Sequence, residues 1–245
     1  MKLITSLQNQ LVKDAVSLHQ KKYRDEMGVF LVEGEEPCLN AIKNGWECVS
    51  LFVREGKQLA VQDVVFATAE ILEKISKKDN PQDVIGVFRQ RVFEFPEKLD
   101  FVLALEEIRD PGNLGTIMRT AHAVNAKNII LVGPCCDPFA PEVIRSSMGS
   151  FSAIHLSQMT NQQLLDWKNK HAMALIGTDV VEAVDYRQAD YSKAIVVMGN
   201  EQKGLSAELK KHCTTRVKIP MPGGTESLNL SIATGLLLYQ SLRRV

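Results

Sequence analysis

The sequence predicts an α/β protein: a large C-terminal unit built on a mostly parallel sheet, preceded by a smaller α/β unit. Three observations carry this. From residue 100 onward, short apolar runs alternate with stretches of helical periodicity, the pattern of strands buried on both faces and covered by helices. A chain of 245 residues, 45% apolar and 24% charged, has material for two cores. Arg91–Leu99, with Phe93, Phe95 and Pro96 among charges, interrupts the pattern and marks a connector. The expected division is therefore 1–90, a linker at 91–99, and 100–245.

In the first unit, Leu7, Leu11, Val12, Ala15, Val16 and Leu18 share one face of a helix predicted over 6–24, and Gly28 stops it. Runs rich in β-branched and aromatic residues predict strands at Val29–Val32, Val49–Val53, Val64–Thr68 and Val84–Phe88, with helices near 35–44 and 69–77. In the second unit, strands are predicted at Phe101–Leu105, Ile129–Val132, Ala153–Leu156, Ala172–Ile176, Ala194–Met198 and Val217–Ile219. Helices are predicted at 113–125, 141–148, 161–170, 206–213 and 227–243. Ligands of open α/β sheets bind where loops leave the C-terminal ends of strands. The loops 106–113, 177–185, 199–205 and 220–227 lie at such ends, so one edge of this sheet is the candidate site.

Composition narrows the class without naming it. The net charge is zero, and both halves are balanced: residues 1–99 carry 14 Lys/Arg against 15 Asp/Glu, and residues 100–245 carry 15 against 14. A nucleic-acid surface would have to come from local clusters such as Lys21, Lys22 and Arg24, or Arg89 and Arg91. No apolar run approaches the ~20 residues of a membrane span, and the N-terminus lacks a signal-peptide core, which predicts a cytoplasmic protein with no membrane partner. Five scattered cysteines with no C-x-x-C pair predict reduced thiols and no metal site.

Three segments carry polar groups at strand ends. In Ile219-Pro-Met-Pro-Gly-Gly-Thr-Glu-Ser-Leu-Asn229, a Pro/Gly-rich turn runs into an apolar helix, and Ser227 is the expected N-cap. Asn113 follows the turn Asp110-Pro-Gly112 and has the N-cap role as its simplest reading. Arg119 projects opposite the buried stripe Leu114, Ile117, Met118 and Ala121, toward solvent or a site. Glu201 lies between Gly199 and Gly204, and its simplest role is to stabilise the helix N-terminus that follows. The first loop contains Gly112-x-x-Gly115, which is not the dinucleotide fingerprint G-x-G-x-x-G, and a P-loop is absent.

Taken in order, Asn113-Leu-Gly-Thr-Ile-Met-Arg119-Thr-Ala121, Val197-Met-Gly199-Asn-Glu201-Gln-Lys-Gly204-Leu205 and Ser227-Leu-Asn229 resemble the three motifs of the SpoU (TrmH-like) family. These are RNA 2′-O-ribose methyltransferases of the knotted SPOUT superfamily. Asn9…Val12-Lys13…Lys22…Arg24…Gly28-Val-Phe-Leu-Val-Glu-Gly34 is similar, more loosely, to that family's substrate-binding domain. The resemblance implies a C-terminal α/β trefoil-knot domain, a smaller N-terminal RNA-binding domain and S-adenosylmethionine as methyl donor. It also implies a homodimer. The implied substrate is ribosomal RNA, with transfer RNA as the alternative. A non-catalytic RNA-binding or ribosome-assembly protein on the same fold would predict losses among Asn113, Arg119, Glu201, Ser227 and Asn229, and none is lost.

The family pattern places Arg119 against the reacting ribose and makes Asn200 and Glu201 part of the site, with Glu201 positioning Arg119 or substrate. Ser227 and Asn229 orient Arg119 and the ribose. Gly199, Ile219 and Leu228 contact the donor through main chain, and Thr178 lines its adenine pocket. A guanidinium stays protonated in ordinary sites, so Arg119 is assigned to the adjacent phosphate and the developing alkoxide. Whether it also takes the hydroxyl proton is open.

Overall fold

The computed structural model describes residues 2–91, 93, 99–179 and 181–242. Of the connector expected at 91–99, residues 92 and 94–98 lie outside the described residues, as does the last residue of the helix expected to reach 243. The chain forms two compact units, one from 1–91 together with 137–153, the other from 92–136 together with 154–245.

The first unit opens with β1 (Lys2–Ile4), then α1 (Gln10–Ser17) and α2 (Lys21–Met27). Asn9 caps α1 by accepting the Leu11 N–H, and left-handed Gly28 ends α2. The single helix expected over 6–24 is thus two. Its break lets Arg24 fold back, where it donates to the Leu18 carbonyl at 2.7 Å and to Asp137 at 2.9 and 2.5 Å. Arg24 is 3% exposed. The basic cluster expected at Lys21, Lys22 and Arg24 is therefore not a free cationic face: Lys21 pairs with Asp25, and Lys22 lies over the Tyr23 ring.

Next come β2 (Val29–Glu33), α3 (Glu35–Lys43), β3 (Cys48–Arg54), β4 (Val64–Ala67), α4 (Ala69–Ser76) and β5 (Val84–Arg89). The sheet order is β1-β4-β3-β5-β2, parallel across β1, β4 and β3 and antiparallel across β3, β5 and β2. Phe52, Ile71, Leu72, Ile75 and Ile85 are fully buried in its core.

The second unit begins with β6 (Phe101–Glu106), α5 (Pro111–Ala123) and β7 (Asn128–Val132). After it, α6 (Pro141–Ser146) and a 3-10 turn at Ser150–Ala153 belong to the first unit. There Phe139 and Phe151 meet Phe30 at ring-centroid distances of 4.8 and 5.7 Å, and the Trp46 indole donates to the Ser152 carbonyl at 3.0 Å. The strand expected at Ala153–Leu156 accordingly starts later. The chain continues through β8 (His155–Met159), α7 (Asn161–Lys170), β9 (Ala174–Thr178), β10 (Val184–Asp185), β11 (Ala194–Met198), α8 (Ala207–His212), β12 (Thr215–Lys218) and α9 (Leu230–Ser241).

The seven strands run in the order β10-β12-β9-β11-β6-β7-β8, and every pairing is parallel. Val102 to Leu105 and Ala194 to Val197 are all fully buried, as expected of strands covered on both faces. Among the described residues, no helix is long and apolar enough to cross a membrane.

Candidate active site

At the C-terminal ends of β6, β9, β11 and β12, four loops converge within the second unit. Asp110 caps α5 by accepting the Asn113 N–H at 2.6 Å, and Pro111 takes the first helical position. Asn113 is therefore not the N-cap that sequence suggested. It sits in the first turn and is 9% exposed. Ser227 is not an N-cap either. Asn229 caps α9, its carbonyl oxygen accepting from Ser231 N–H at 2.9 Å and Ile232 N–H at 3.4 Å. The reason is the stretch from Pro220 to Leu228, which holds Ser227 and Leu228 in irregular chain before the helix starts.

These caps leave amide groups that join the three motifs. The Asn229 amide donates to the Asn113 oxygen at 3.0 Å, and the Asn113 amide donates to Glu201 at 3.4 Å. The Glu201 carboxylate also accepts the Arg109 N–H at 3.2 Å and the Asp110 N–H at 3.2 Å. Glu201 thus clamps the loop that enters α5, and no described contact joins it to Arg119. Arg119 itself is exposed on α5 and has no hydrogen bond or ion pair among the described residues.

The loop after β11 is built around close backbone approach. A Cβ on Gly199 would stand 2.2 Å from the Gly204 carbonyl carbon and 2.3 Å from the Leu205 nitrogen. Gly204 has φ +67°, and Asn200 and Gly204 exchange main-chain hydrogen bonds at 3.1 and 2.9 Å. The glycines therefore serve the loop's own fold. Asn200 finishes the lock, donating to the Glu107 carbonyl and accepting the N–H groups of Gln202 and Lys203.

Beside this network lies a cleft of about 450 Å³. Thr178, Gly199, Ile219 and Leu228 line it, together with Glu201 and Ser227. Its apolar wall includes Met198, Leu205 and Val217, all nearly fully buried. The Ser227 hydroxyl has no described hydrogen bond, whereas its carbonyl accepts from Thr225. Asn113, Arg119 and Asn229 stand outside the lining. Sequence reasoning missed Asp179 and Lys210, which line the cleft as an ion pair at 3.1 Å. The available signal was position alone, since Asp179 directly follows Thr178 at the end of β9. Cys213, the C-cap of α8, has its thiol pushed up to about 11 by burial, so it is a neutral packing group at physiological pH.

Comparison with known proteins shows the family. Residues 100–239 match the SpoU rRNA methylase family, and residues 9–86 match the MRM3-like substrate binding domain. An uncharacterized tRNA/rRNA methyltransferase of Synechocystis sp. is 34% identical over 98% of this chain and 93% of its own length. The Bacillus subtilis 23S rRNA (guanosine(2553)-2′-O)-methyltransferase RlmP is 28% identical over 98% of both chains. The AdoMet-bound rRNA methyltransferase from Sinorhizobium meliloti superposes with a TM-score of 0.91 at 39% identity, over 100% of this chain and 98% of that one. The second unit accordingly has the α/β trefoil-knot fold that the motifs implied. Motifs, network and cleft coincide in one matched region that spans over half of the chain, and the protein belongs to the SpoU rRNA methylase family.

Proposed function

We propose that this protein transfers a methyl group from S-adenosylmethionine to the 2′-hydroxyl of a ribose in RNA, and that its substrate is ribosomal RNA. The observation that carries the reading is the chain Glu201–Asn113–Asn229 beside the cleft. It ties together one residue from each of three separate motifs, an arrangement that packing alone does not require. The cleft fits the donor: about 450 Å³ is within the roughly 300–1,000 Å³ of small-molecule sites, with apolar walls and a few polar groups.

In this reading Thr178, Gly199, Ile219 and Leu228 hold the donor along the cleft. When bound, S-adenosylmethionine supplies an electrophilic methyl group on a sulfonium. Arg119, exposed and unpaired, is free to take the phosphate next to the target and to stabilise charge growing on the 2′-oxygen. Ser227 offers its uncommitted hydroxyl to the ribose. Asn113, Glu201 and Asn229 act on the loops, holding the entry to α5 and the start of α9 in one fixed relation so that both partners are presented in register. The first unit contributes RNA affinity.

The protein is also proposed to be a cytoplasmic homodimer. Leu237 and Leu238 are buried within the unit, but Ile232, Leu236 and Tyr239 remain 58%, 38% and 56% exposed at helical spacing on α9. A two-fold contact is the commonest way to cover such a stripe.

The test is methyl transfer to a cognate RNA and to the same RNA carrying 2′-deoxyribose at the target. The deoxy substrate should be inert. Methylation of it would put the methyl group on a base, and transfer only to transfer RNA would replace the ribosomal assignment.

A further inference from the structure

The first unit holds a cavity of its own, of about 460 Å³, within the roughly 300–1,000 Å³ of small-molecule sites. Its lining comes from β2, the start of α3, the residues after α4, and the stretch from α6 to Gly149, all of that unit. Glu33 and Gly34, which close the segment Gly28-Val-Phe-Leu-Val-Glu-Gly34, lie on its wall. Leu31 and Ile144, 3% and 5% exposed, give it an apolar lining together with Pro37. Met148 also borders it, 67% exposed, with its backbone held in the left-handed region at φ +49°. A long side chain seldom adopts that conformation.

The polar part of the wall is an ion pair with spare capacity. The Lys78 ammonium and the Ser76 hydroxyl both donate to Oε2 of Glu33, which ties β2 to the end of α4. Oε1 has no hydrogen bond among the described residues, although the Glu33 side chain is only 13% exposed. Lys78, 34% exposed, commits its ammonium to Glu33 alone among the described residues and keeps further N–H donors. Glu35 is engaged by Lys57, and Glu36 is exposed. Arg145, exposed in the last turn of α6, has no hydrogen bond or ion pair among the described residues.

A donor beside an acceptor, in an apolar pocket, is the complement of a nucleobase edge, and unpaired RNA bases are read on that edge. Guanine presents O6 as acceptor and then N1–H and N2–H as donors. Lys78 can donate to O6 while Glu33 accepts from N1–H and N2–H. Adenine and cytosine reverse the first two positions, and uracil ends in a second acceptor, O2. Resting on the reading of the first unit as the source of RNA affinity, we propose that this cavity binds an unpaired guanine of the RNA, with Lys78 and Glu33 reading its Watson–Crick edge. Met148 covers the base, and Arg145 takes an adjacent phosphate.

The experiment is fluorescence anisotropy of the full chain with labelled RNA heptamers of uridine whose central base is guanine, hypoxanthine, adenine or uracil. The guanine heptamer should bind about 10–100-fold more tightly than those with adenine or uracil, the range for hydrogen bonds to charged groups. Hypoxanthine, which lacks the 2-amino group, should fall between them. Glu33→Gln and Lys78→Met should each lower the guanine preference by at least about 3-fold and leave binding of the all-uracil heptamer unchanged. A smaller fall in either folded variant would overturn the proposal. So would a wild type that binds all the heptamers alike, a result that stands even if the variants do not fold. A chain that binds ribosomal RNA but none of the heptamers would overturn it too. A chain that binds neither would instead remove the reading of the first unit on which the proposal rests.

Discussion

Arg119 and Glu201 show how differently two charged residues of neighbouring motifs are used. Glu201 spends its carboxylate on two main-chain N–H groups and an amide, so it acts on the protein's own loop. Arg119 spends nothing on the protein. Arg119→Ala should therefore lower the methyl-transfer rate by about 10²–10⁴-fold, the range for a lost acid–base or charge-stabilising group. Donor affinity should stay unchanged, since Arg119 does not line the cleft. Near-normal turnover would assign the step elsewhere. The thiols offer a control on the core. Burial raises Cys38 to about 12 and Cys213 to about 11, so the reactive thiolate is suppressed up to those values. Neither should be alkylated by iodoacetamide at pH 8 in the folded protein, and both should react on unfolding, where a thiol ionises near 8.5. Rapid native-state labelling of either would mean that these packing environments open.

At the scale of elements, caps and buried pairs decide what sequence could and could not say. The parallel strands were legible because full burial writes itself as unbroken apolar runs, as in Ala194–Met198. The caps were not. In Ser227-Leu-Asn229 both polar residues are good N-caps, and only the path of the chain after Pro220 selects Asn229. The strands β1 and β10 are too short to show any alternation. Arg24 looked like one member of a solvated basic cluster because its partner, Asp137, is 113 residues away. Two outcomes follow. Asn229→Ala removes the α9 cap and leaves the Asn113 oxygen without its donor, and should cost about 1–2 kcal/mol by denaturant titration. Arg24→Ala strands a carboxylate that is 11% exposed and should cost about 3–5 kcal/mol. A loss below about 1 kcal/mol would show that water reaches Asp137 freely.

The whole molecule divides into two compact units that its sequence marks only in part. The three motifs marked a candidate site region, and the structure brings Thr178, Gly199, Ile219, Leu228, Glu201 and Ser227 to one cleft. Residues 137–153 could not be assigned to the first unit by pattern, because Phe139 and Phe151 meet Phe30 and Trp46 through tertiary packing alone. The exposed stripe of α9 bears on assembly. On the proposed dimer, the unmodified chain should sediment as a dimer at micromolar concentration, and Ile232→Glu combined with Tyr239→Glu should leave the fold intact and produce a monomer. An unmodified chain that is already monomeric would remove the dimer. The central claim, ribose methylation of ribosomal RNA, is tested most directly by mapping 2′-O-methylation across total RNA from cells with and without this protein. The account predicts that a ribosomal-RNA ribose loses its methyl group when the protein is absent and regains it with the wild type but not with Arg119→Ala. Ribose methylation identical in both cells, or a missing methyl group on a base, would contradict it.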